Sequence, residues 1–240
     1  MSGYNPDYDP ENEWDDKGNL IWNEHDWRRY LNQQEQEIVR FLSLYYKMNQ
    51  HPNKLDEIAQ QMGWDKDDWS AGDLIGSEQE EDPTSSPEIL GMFEEEHAES
   101  EEMEPYTVHR HPVYIITRGL YRSIRKSWSS IARSEDIPLS NALVYDLSSS
   151  LREGEHQSMM AIQAIDVGDF GLSITHFKSG LAALNETLGL MSQLPLKQSR
   201  QAAMFHTNAM PTLFDLRELW LKVMNECREE NLRGFGNQDN

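Results

Sequence analysis

The chain has 240 residues, 38% of them hydrophobic, with 42 acidic against 21 basic side chains, a net charge of −21 and one cysteine. No apolar run approaches the ~20 residues of a bilayer-crossing helix, and the first residues carry no basic and apolar leader, so the sequence reads as a soluble, cytoplasmic protein of one or two domains with no membrane partner. Cys227, standing alone, forms neither an intramolecular disulfide nor a cysteine metal cage.

Residues 1–19 are rich in Asn, Asp, Glu, Gly and Pro and are expected to form an extended acidic arm. Residues 20–75 predict a helical hairpin. Trp27, Leu31, Ile38, Phe41 or Leu42, and Tyr45 recur at helical spacing from Asp26 to Met48, His51-Pro52-Asn53 interrupts, and a short helix from Lys54 to Met62 ends on Gly63, which suits a left-handed cap. The cadence of Lys54–Trp64 has something of a helix-turn-helix. The next positions are Asp65, Lys66, Asp67 and Asp68, and a recognition helix opening on acids is a poor reader of DNA, so no DNA partner is expected.

Residues 76–104 are an acidic low-complexity linker, broken by the apolar cluster Ile89, Leu90, Met92 and Phe93. An apolar island between acidic flanks is a common form of protein-binding segment, and these four residues are the candidate partner contact. Its plainer reading is a pin that holds the linker to its own fold.

From 105 to 240 four long helical patterns follow, near 113–134, 140–165, 170–194 and 198–231, predicting an antiparallel up-down-up-down four-helix bundle within an all-α protein. The first carries Ile116, Leu120, Ile124, Trp128 and Ile131 on one face. The second has a seam of Val144, Leu147, Leu151, Gly154, Ser158, Ala161 and Ile165, small enough for a neighbour to approach closely. The third shows the strictest repeat: Ile174, Phe177, Leu181, Leu184, Leu188 and Met191. The fourth follows Ala202, His206, Ala209, Leu213, Leu216, Trp220, Val223 and Cys227, with Pro211 expected to kink or split it.

The charge divides unevenly between these regions. Residues 1–104 hold 28 Asp and Glu against 7 Lys and Arg, whereas residues 105–240 hold 14 against 14. Between Pro105 and Ser134 there is no acid at all, yet Arg110, Arg118, Arg122, Arg125, Lys126 and Arg133 lie there. Arg118, Arg122, Arg125 and Lys126 are therefore the candidate cations for an anion or for the acidic arm, set against the plainer reading of a solvated helix face.

Catalytic and metal signals are sparse. Glu153-Gly154-Glu155-His156 has the Glu-x-x-His spacing of carboxylate di-iron bundles, but the first bundle helix supplies no acid to complete such a site. His156, His176 and His206 lie at different heights along their helices, so no metal and no cofactor is expected. Arg200-Gln201-Ala202-Ala203-Met204-Phe205-His206 resembles the Arg-x5-His motif of the HEPN ribonucleases, over seven residues of one helix. That resemblance implies an RNA-cleaving or nucleotide-binding bundle in which Arg200 and His206 face the scissile phosphate across a dimer cleft. Against it, His206 occupies a core position of the repeat and the acidic front repels RNA. The expectation is therefore a non-enzymatic interaction or adaptor module with a protein partner, and a homodimer as one form that partnership takes; the HEPN-like enzyme is the alternative.

Overall fold

The computed structural model describes residues 22–48, 51, 53–64 and 107–236, with side chains through Arg233. The arm at 1–19, the linker at 76–104 and the cluster Ile89, Leu90, Met92 and Phe93 lie outside the described residues. Those that are described form α-helices and one 3-10 turn, with no strand among them: α1 Glu24–Lys47, α2 Lys54–Met62, a 3-10 turn Val108–Arg110, α3 Pro112–Ala132, α4 Asn141–Asp166, α5 Phe170–Met191 and α6 Arg200–Gly236. None of these helices is long and apolar enough to cross a membrane.

Local chemistry sets the ends. Asn23 and Asp26 form a reciprocal capping box at the start of α1. Gly63 closes α2 at φ +81°, the left-handed conformation that a glycine adopts without strain. Pro112 opens α3, where its missing N–H would have had no helical partner. Ser140 and Asp169 cap α4 and α5 through side-chain oxygens. Pro211 neither splits nor ends α6, which runs unbroken through it. Thr207 and Pro211 are both exposed, so the carbonyl that loses its donor there is on the wet side of the helix.

α3 packs on α4 and α6, and α5 packs on the same two helices. The expected apolar face of α3 is buried throughout, from Ile116 to Ile131. On α5 the seam differs from the apolar repeat. Ser173, Phe177, Gly180, Ala183, Leu184, Thr187 and Met191 are the buried positions, while Ile174, Leu181 and Leu188 flank them half-buried. Small side chains at three seam positions let α4 and α6 come close: Thr187 Oγ1 donates to Ser150 Oγ at 2.9 Å, and a methyl group on Gly180 would already touch Trp220, 3.5 Å from its ring carbon Cζ3.

Helix α1 belongs to the same core. Ile38, Phe41 and Tyr45 join Ile116, Leu120 and Leu213 in one apolar cluster, and Phe41 and Ile38 close over Gly119 of α3. The negatively charged front of the chain therefore shares its interior with the neutral part. Trp27 and Leu31 are more exposed than helical spacing predicts, at 41% and 47%. The cause is an overhang: Tyr30 already meets Thr107, ahead of α3, and beyond it Trp27 leans on Trp22 with ring centroids 5.0 Å apart.

Candidate functional site

Arg118, Arg122, Arg125 and Lys126 follow one another at i, i+4, i+7 and i+8 on α3, which places all four on one helical face. Ser148, Arg152 and Glu155 do the same on α4. Between the two faces runs an open trough of about 880 Å³, lined by these residues together with Arg133 and by Glu35 from α1. Six cations and two carboxylates thus share one surface. Trp128 forms part of its wall but is only 3% exposed, and its indole N–H donates to Ser148 Oγ at 2.9 Å.

Glu155 is the organising group. It is 5% exposed, a position where a lone carboxylate would cost several kcal/mol. Arg118 binds one of its oxygens and Arg125 the other, charge-assisted bonds that offset the lost hydration. Each guanidinium keeps nearly half of its surface open to water. Arg122 pairs with Glu35, which reaches across from α1. Lys126, Arg133 and Arg152 have no carboxylate within ion-pair distance among the described residues; Arg152 is exposed and its Nε donates only to the Ser148 carbonyl, at 3.4 Å.

A second polar centre is more enclosed and borders a smaller pocket, of about 370 Å³. Lys54 of α2, its side chain 10% exposed, lies 2.5 Å from Asp215 of α6, 3.0 Å from the Tyr45 hydroxyl and 4.3 Å above the Tyr45 ring. Tyr45 donates its own hydroxyl proton to Asp215. Burial, and then that carboxylate, hold the phenol far above its ordinary pKa, so it stays protonated and is no nucleophile. The triad clamps α1, α2 and α6 together.

The other sequence candidates remain dispersed. Arg200 is exposed at the first residue of α6 and His206 is half-buried; among the described residues neither makes a side-chain hydrogen bond or ion pair. Glu153 accepts from Gln157 at 2.8 Å, while His156 is exposed and His176 Nδ1 lies 2.7 Å from Gln157 Oε1. No group of three or more His, Cys, Asp or Glu among the described residues is arranged to hold a metal ion. Burial raises the Cys227 thiol to about 11, outside the range of a reactive thiolate.

Sequence reasoning found the α3 stripe and missed its partners. Glu155 and Arg152 carry one usable signal: they share a face with Ser148, and an acid-free helix must draw a buried counter-charge from a neighbour. Glu35 carries none, because only the packing of α1 on α3 brings it to Arg122. Compared with known protein families, curated proteins and solved structures, the chain matches none.

Proposed function

We propose that the protein is a non-enzymatic interaction module, an adaptor whose basic trough between α3 and α4 docks an anionic partner. One observation carries this reading: a chain of net charge −21 gathers six cations against two acids on a single concave surface. Charge of the minority sign, concentrated in one place, is a directional signal for encounter and register. Ile89, Leu90, Met92 and Phe93 are the second contact in this proposal, on the strength of their sequence.

The scaffold for that surface is an up-down-up-down four-helix bundle of α3 to α6, with the α1–α2 hairpin laid against α3. Cross-helix pairs support it: Thr117 with Trp220 and Trp128 with Phe205 run in opposite order along α3 and α6, and Thr187 with Ser150 and Gly180 with Gln157 do so along α5 and α4.

The test is titration of the full-length protein with fluorescent dextran sulfate at several salt concentrations. Binding that weakens as salt rises is expected, and its loss in K126E/R133E/R152E at unchanged circular dichroism. These side chains are exposed and outside the Glu155 and Glu35 pairs. Equal binding by the triple variant would refute the docking role of the trough.

A further inference from the structure

We infer that the partner seated in the trough is an extended acidic peptide segment of another protein, carrying carboxylates at alternate positions. This rests on the docking reading above and gives the ligand its chemistry.

The trough already displays the contacts it would make. Glu155 and Glu35 are glutamates from helices other than α3, and both are held there by arginines of α3. They occupy three of the guanidiniums and leave Lys126, Arg133 and Arg152 facing open space. A ligand bringing its own carboxylates meets these three directly and competes with Glu35 for Arg122, whose exposed pair is the easiest to open.

Register favours an extended chain. Lys126 and Arg122, the latter once opened from Glu35, stand ~6 Å apart along α3. Alternate side chains on one edge of an extended peptide repeat at ~6.6 Å. Acids at every second residue therefore stay level with successive cations, whereas acids in one contiguous block send half their carboxylates to the far side. From Arg118 to Arg133 the trough offers ~22 Å, the length of about seven extended residues.

Nucleic acid fits less well. Single strands bind through stacked bases, and the one indole in the lining is buried, with its N–H committed to Ser148.

The experiment uses the full-length protein and three fluorescent probes of equal charge at physiological salt: a ten-residue peptide with Glu alternating with Ser, the same composition with its Glu contiguous, and a single-stranded oligonucleotide. The alternating peptide is expected to bind best, to weaken roughly tenfold in K126E/R133E/R152E, and to bind a few-fold more tightly in E35Q, where Arg122 is released. Oligonucleotide binding equal to or stronger than that of the peptide, lost in the same triple variant, would overturn the inference and leave the docking surface standing. Binding of no probe, with dextran sulfate also failing, would remove both. A further variant replaces the seven glutamates of 94–104 with glutamine; peptide binding seen only in that variant would make the chain's own acidic segment the occupant and overturn the inference as stated.

Discussion

Asp215 and Glu155 each receive cations from another helix, and the two arrangements serve opposite ends. Around Asp215 the charges balance: one ammonium and one phenol close on one carboxylate, with Lys54 almost wholly enclosed. Around Glu155 they do not. Two arginines meet one carboxylate, both remain half in water, and four more cations stand beside them, of which only Arg122 has a carboxylate, Glu35. A matched group inside a fold is a fastener, whereas the cationic surplus held at the rim by one buried acid is the feature on which the docking proposal rests. The buried member fixes where the guanidiniums point, and the surplus supplies the attraction.

The sharpest way to break this contrast is to remove one acid from each centre. D215A strands a buried ammonium and is expected to cost about 3 kcal/mol by chemical denaturation, leaving anion binding at the trough unchanged. Next in size is G154A. Gly154 precedes Glu155, and a methyl group there would run into the Tyr121 hydroxyl and its ring carbon Cζ. Tyr121 is 1% exposed and stacked on Trp220, so it has nowhere to retreat. A loss of about 2 kcal/mol is expected, partly restored in G154A/Y121F, because α3 and α4 must otherwise separate. Unchanged stability in G154A would mean that the spacing of the open centre is not set there.

E155Q is predicted to be milder than D215A, about 1 kcal/mol, since the released arginines are half-exposed and their interaction is screened by water. Its signature is in binding: freeing Arg118 and Arg125 raises dextran sulfate affinity a few-fold, measured by anisotropy. A fall in affinity would show that Glu155 orients more than it neutralises. Y121F alone should be neutral or slightly stabilising in thermal melts, because the buried Tyr121 hydroxyl has no hydrogen-bond partner among the described residues.

The smallest expected effect is a pH dependence. Burial, and then the neighbouring Arg118, hold His109 below its ordinary 6.5, against an opposing pull from Asp166. The folded state thus prefers the neutral ring. Its contribution is fully present above pH 6.5 and is lost as pH falls through the lowered value. Melting temperature should decline across that window in the wild type, and H109Q should flatten the decline; parallel profiles would assign it to another group.

Much of the fold was legible because α3 and α6 announce themselves by large apolar side chains at helical spacing. The seam of α5 was only half legible. Apolar counting selects Ile174, Leu181 and Leu188, but the interior positions are Ser173, Gly180 and Thr187, whose small size is what the close neighbours require. Charge gave no guide to the packing of α1: acids crowd residues 1–104, yet its buried stripe depends on Ile38, Phe41 and Tyr45, which carry no charge. For the site, an acid-free run exposed the stripe from Arg118 to Lys126. The pairings with Glu155 and Glu35 were hidden because they are properties of helix contact, not of spacing along the chain.

Cys227 is fully buried on α6, its sulfur 3.8 Å from the Ser173 hydroxyl of α5. That makes it a built-in clock for the separation of two helices. A bulky thiol reagent reaches the sulfur only when α5 lifts away, so the rate of alkylation reads the free energy of that local opening without any engineered label. The same placement shields the one thiol from disulfide crosslinking while the two helices stay together.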